Sequence, residues 1–194
     1  MYLSNIDLST WKKSDNPLKE VKILSDNYVA KQMLYKVMDE VPRFRLEPDH
    51  ERILILTENN PDWSRLDFGQ LEGVKRLNLD FHSGQQVVIS SVLNPAWRDK
   101  ETGKIICANN IPELKIWLLK KFLNYGIALR PDMLVVHYYD RGFVIHKKPS
   151  YKIAVASIKA QGAITNPERF RELLSEGVGR SKHAGFGLVI AKPL

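Results

Sequence analysis

An order of elements that runs twice along the 194-residue chain constrains its fold more than any single motif does. MYLSNIDLS alternates apolar and polar residues, the period of a half-buried strand. SDNYVAKQMLYKVMDE predicts a helix capped by Asp26 or Ser25, with Val29, Met33, Leu34, Val37 and Met38 on one stripe and Pro42 as its stop. RFRLEP and RILILTE are two short strands around Pro48, Asp49 and His50. DWSRLDFGQLEGVKRL is a weaker helical stretch, and QQVVISSVLNP is a strand ended by Asn94 and Pro95.

The second half repeats that order. IICANN predicts a strand. Asn110 then caps a helix with Pro112 in its first turn, Leu114, Trp117, Leu118 and Phe122 on its buried face, and Gly126 at its end. MLVVHYYD and GFVIHKKPSYKIAVASIKAQG alternate as strands, the latter turning at Lys147–Ser150. Asn166, Pro167 and Glu168 open a short helix with Phe170, Leu173 and Leu174 inward, Gly177 closes it, and FGLVIA is a last strand. The expectation is an α+β protein of two tandem ferredoxin-like (βαββαβ) domains, residues 1–98 and 99–194, divided near WRDKETGK. Order of elements alone says nothing about function.

Charge narrows the function. The net charge is +7, and the residues from Arg141 onward hold ten Lys and Arg against three acids, so the first 140 residues are neutral. A basic region concentrated in this way is the footprint of a polyanion binder; the competing reading is a solvated basic face. No apolar run reaches the roughly 18 residues of a membrane helix, and the N-terminus lacks the apolar core of a signal peptide. One cysteine, Cys107, cannot form an internal disulfide, which points to a reducing cytoplasm. One Cys and five scattered His show no zinc spacing.

The segment GVGRSKHAGFGLV, Gly177–Val189, places four glycines and two cations between a helix and a strand. Nucleotide-binding glycines instead follow a strand and open a helix, so no nucleotide cofactor is expected. A helix C-terminus carries partial negative charge. Arg180, Lys182 and His183 must therefore supply any attraction for phosphate, with glycine N–H groups as short-range donors. The competing reading is that the glycines serve tight turns alone; both can hold together.

This segment resembles the G-x-G-x-x-K-x-x-G-x-G-L signature of CRISPR-associated RNA-processing endonucleases, and the chain is most similar to the CasE family of type I-E Cascade. MYLS, LNPAWRDKETGK, PELKIWLLKKF and KIAVASIKAQGAITNPERFRELLSEGVG extend the resemblance along the whole length. It implies two ferredoxin-like domains and a metal-independent endoribonuclease that needs no cofactor. Such an enzyme binds a CRISPR repeat stem-loop RNA, cuts at the 3′ base of the stem through 2′-hydroxyl attack, and stays on its product with other Cascade subunits. It also implies RNA contacts at Gly179, Arg180, Ser181, Lys182, His183 and Gly185.

The family places a Tyr and a His three residues apart on the first helix. Tyr28 matches the tyrosine, but the histidine position holds Lys31. A lysine of ordinary pKa, about 10.4, is a poor base unless desolvation or neighbouring cations depress it. Three accounts follow: Lys31 acts electrostatically or as a proton donor, the protein binds RNA but cuts poorly, or the substitution was introduced to trap an uncut complex. Ignoring the resemblance, Tyr28 and Lys31 are an ordinary exposed helix face. His183 is the second choice for the missing histidine, ahead of His146, His137, His50 and His82. RGFVIHKKPSYK carries the remaining candidate phosphate contacts, Arg141, Lys147, Lys148 and Lys152. Trp63, Trp97 and Trp117 are expected in the core or at an interface. A reading of another class is a basic scaffold that binds proteins rather than RNA.

Overall fold

A computed structural model describes residues 1–9, 23, 26–39, 42–47, 51–145 and 151–194 of the chain. Ser25, His50, His146, Lys147, Lys148 and the turn expected at Lys147–Ser150 lie outside the described residues. The chain divides into two compact units. The first is Met1–Asn78 joined by Ile145, Tyr151 and His183–Gly185; the second is Leu79–Val144, Lys152–Lys182 and Phe186–Leu194.

In the first unit, β1 (Tyr2–Asp7), β2 (Arg43–Glu47), β3 (Arg52–Thr57) and β4 (Gln70–Arg76) form an antiparallel sheet in the order β2-β3-β1-β4. Register pairs Ile6 with Ile53 and Ser4 with Ile55. Helix α1 (Asn27–Val37) is capped by Asp26, whose carboxylate accepts from the Tyr28 N–H at 2.7 Å. Its buried Ala30, Met33, Leu34 and Val37 pack with Ile6, Phe44, Ile53 and Ile55.

The helix expected over DWSRLDFGQLEGVKRL does not form. Asp62 accepts from the Ser64 N–H and hydroxyl at 2.9 and 3.0 Å, and the Leu66 N–H turns back to the Trp63 carbonyl. Such local side-chain bonds offer the backbone an alternative to helix. Gly69 then takes φ +61 where a Cβ would stand 2.6 Å from the Asp7 carbonyl, and β4 begins beside it. The strand order remains ferredoxin-like although the second helix is missing among the described residues.

The second unit carries the complete order. It comprises β5 (Gln86–Leu93), a small hairpin of β6 (Ala96–Arg98) and β7 (Ile105–Cys107), α2 (Ile111–Asn124), β8 (Ile127–Leu129), β9 (Val135–Ile145), β10 (Tyr151–Ile164), α3 (Pro167–Glu176) and β11 (Val189–Pro193). The sheet runs β11-β5-β10-β8, with β9 also pairing β10. Asn110 caps α2 through the Glu113 N–H at 2.9 Å, and Asn166 caps α3 through the Arg169 N–H at 3.0 Å. Leu114, Leu118 and Phe122 of α2 and Phe170 and Leu173 of α3 are buried with Ile89 and Ile158.

The fold class is therefore α+β with two ferredoxin-like units, and the units divide between Asn78 and Leu79 rather than near residue 98. The reason is β5: it pairs with β10 and β11, so a strand expected to finish the first domain opens the second unit instead. Trp97 and Trp117 stack 5.9 Å apart against the second core, and Trp63 packs on the first. No helix among the described residues is long and apolar enough to cross a membrane.

Candidate nucleic-acid interface

All four glycines of the C-terminal loop lie at positive φ, from +72 at Gly177 to +83 at Gly185 and Gly187. Each is also forced by a close approach. A Cβ on Gly177 would stand 2.5 Å from the Gly187 carbonyl oxygen, one on Gly187 2.1 Å from that of Val178, and one on Gly179 2.6 Å from that of Asn94. Contacts this short exclude any side chain. The Val178 N–H donates to the Gly187 carbonyl at 2.8 Å, and the Gly187 N–H to Val92 at 2.7 Å.

These bonds narrow which glycine N–H groups can face a ligand. The Gly177 N–H is committed to the Leu173 carbonyl at 2.8 Å, so neither it nor that of Gly187 is a phosphate donor. Of the residues expected to attract an anion, Arg180 and His183 are exposed and Lys182 is half-buried.

A residue missed in the sequence organises the loop crown. Asn94, 3% exposed, accepts from the Arg180 N–H at 3.2 Å through its carbonyl and donates from Nδ2 to the Ser181 hydroxyl at 3.0 Å. Ser181 sits at φ +56, a left-handed conformation that this bond helps to hold. The sequence signals for Asn94 were an Asn before Pro at a strand end and its place in LNPAWRDKETGK, where the resemblance attaches to the segment and not to this residue.

Asn94 also lines a cleft of about 410 Å³ together with Arg141 and Lys152, so two of the expected phosphate contacts come together in the second unit. Nearby, the Tyr139 hydroxyl donates to the Ala108 carbonyl. Burial above all, then the neighbouring Cys107, pushes that phenol up to about 12. Tyr139 is thus a structural hydrogen-bond donor rather than a base.

In the first unit, Tyr28 and Lys31 occupy half-buried positions on α1. The helix start is tied to the glycine loop: buried Asn27 donates from Nδ2 to the Ala184 carbonyl at 2.8 Å. A Cβ on Gly185 would strike the Phe44 ring at 2.5 Å and Asn27 Nδ2 at 2.8 Å. Tyr28 and Lys31 therefore share a unit with His183 and Gly185, whereas Arg141, Lys152, Gly179, Arg180, Ser181 and Lys182 belong to the second. The Lys31 ammonium stands 5.2 Å from the centroid of the Tyr35 ring, one turn further along the helix. His82 and His137 are exposed and fall in the second unit.

Known proteins share this architecture. The family model described as CRISPR associated protein matches residues 1–193. The CRISPR-associated endoribonuclease Cse3 of Thermus thermophilus is 28% identical over 168 residues, 77% of this chain and 79% of that protein. A structure of endoribonuclease Cse3 bound to a 19 nt RNA superposes with a TM-score of 0.86 at 23% identity, covering 100% of both chains. The crystal structure of Cas6e from Escherichia coli superposes with a TM-score of 0.72 at 18% identity, again over 100% of both chains.

Proposed function

The chain belongs to the CRISPR-associated protein family, and from that premise we propose that it is a CasE-type endoribonuclease that binds the stem-loop of CRISPR repeat RNA, cleaves it and retains the product. The observation that carries this reading is the glycine loop, whose backbone is locked by packing while Arg180, Ser181, Lys182 and His183 form its crown. RNA backbone is the ligand that a rigid cationic loop and the cleft cations Arg141 and Lys152 suit. The similarity to Cse3, an endoribonuclease with an RNA-bound structure, supports the same ligand. Cascade subunits and a cytoplasmic location follow from the same reading.

The reaction is a transesterification. The substrate's 2′-oxygen bonds to the adjacent phosphorus as it loses its proton, and the bond to the 5′-oxygen breaks as that oxygen is protonated. The products are a 2′,3′-cyclic phosphate and a 5′-hydroxyl. Tyr28 is the first candidate to exchange a proton with the RNA. Lys31 supplies positive charge to the phosphorane or a proton to the leaving oxygen. The deciding test is incubation of labelled repeat RNA with EDTA: a discrete cut leaving a cyclic phosphate supports the enzyme, and its absence with tight binding retained removes catalysis.

One observation favours a second reading. Lys31 replaces the expected histidine, and its ammonium rests over Tyr35. On that reading the chain grips CRISPR RNA and cuts slowly or not at all.

A further inference from the structure

The cleft beside Asn94 combines three chemistries. It lies among the β6–β7 hairpin, the start of α2 and the strands β9 and β10, and its 410 Å³ falls in the range of about 300–1,000 Å³ that holds small ligands. Arg141 and Lys152 bring positive charge to it without an acidic partner among the described residues. Ile105 and Ile106 leave 47% and 38% of their surface exposed among the described residues, an apolar stretch of its wall.

Glu113 adds an oriented acceptor. It takes two hydrogen bonds, from the Asn109 N–H at 2.8 Å and Asn109 Nδ2 at 3.1 Å, and both fall on Oε2. Among the described residues nothing donates to Oε1, which can accept from a ligand. Asn94 lines the cleft too, but its side chain is buried and its Oδ1, without a donor among the described residues, is not open to a ligand.

We infer that this cleft is a subsite for one unpaired ribonucleotide whose base carries an exocyclic amino group, adenine, cytosine or guanine rather than uracil. Its phosphate lies on Arg141 and Lys152, its base lies against the two isoleucines, and its amino group donates to Glu113 Oε1. A carboxylate selects an amino donor over the uracil carbonyl because that carbonyl would face it acceptor to acceptor. The subsite rests on the proposed RNA-binding function and adds a base preference to it.

The test is fluorescence anisotropy of the full chain with labelled short oligoadenylate, oligocytidylate and oligouridylate at fixed salt. The first two should bind about tenfold tighter than the third, the scale of one hydrogen bond to a charged group. Glu113→Gln keeps an acceptor for the Asn109 N–H and adds a donor suited to uracil, so it should bring that ratio near one without lowering the melting temperature. Arg141→Ala with Lys152→Ala should weaken all three alike. Equal affinity for the three in the unaltered chain, or a preference that Glu113→Gln leaves intact, overturns the subsite. These oligomers form no stem, so the two readings separate. Repeat stem-loop binding without oligocytidylate binding overturns the subsite alone, and the reverse overturns only the stem-loop function.

Discussion

The glycine loop and the opening of α1 are held in opposite ways. In the loop, four backbone positions have no room for a side chain, and Asn94 pins the crown from a strand 87 residues away in sequence. On α1, Tyr28 and Lys31 sit half-buried, and the Lys31 ammonium rests on the exposed ring of Tyr35. A grip built into the packing cannot change without cost to the fold. A helix face proposed to handle protons can exchange one residue for another while the fold stays intact. That difference explains how a lysine stands where the family resemblance leads one to expect a histidine.

The largest effect should come from Gly187→Ala. It puts a methyl 2.1 Å from the Val178 carbonyl oxygen at φ +83, so urea unfolding should show a loss above about 3 kcal/mol. A loss below about 1 kcal/mol would break the comparison, because the loop could then give way. Asn94→Ala removes the Ser181 partner and should cost about 1–2 kcal/mol, with weaker RNA binding at all salt concentrations.

Arg180→Ala sharpens the comparison from the charged side. Arg180 is exposed, so stability should stay within about 0.5 kcal/mol. The slope of log affinity for repeat RNA against log salt should fall by about one, the loss of one phosphate contact. An unchanged slope would favour the protein-binding scaffold. The smallest effect belongs to Tyr35→Ala, which removes an exposed cation–π partner and should cost about 0.5 kcal/mol or less.

Much of the fold was legible because its punctuation is local. Asn110 with Pro112, and Asn166 with Pro167 and Gly177, mark α2 and α3 where they form. The stretch from Asp62 misled because Trp63, Leu66 and Leu71 mimic a helical stripe; only the Asp62 turn and the left-handed Gly69 undo it. The unit boundary was hidden for another reason. Whether β5 closes one sheet or opens the next depends on its pairing with Ala156–Ala163 and Val189–Pro193, and nothing in QQVVISSVL announces distant partners. At the site, GVGRSKHAGFGLV announced itself, but Asn94 and the cleft did not. Their parts come from the residue after β5 and from β6, β7, α2, β9 and β10, and meet only in three dimensions.

The separation of grip from chemistry is tested most directly by Lys31→His, assayed as single-turnover cleavage of repeat RNA in EDTA beside an equilibrium binding curve. The account predicts unchanged affinity and a cleavage rate raised at least about tenfold, within the range a positioned acid–base group supplies. A rate that stays flat, or an affinity that falls with the substitution, would contradict it.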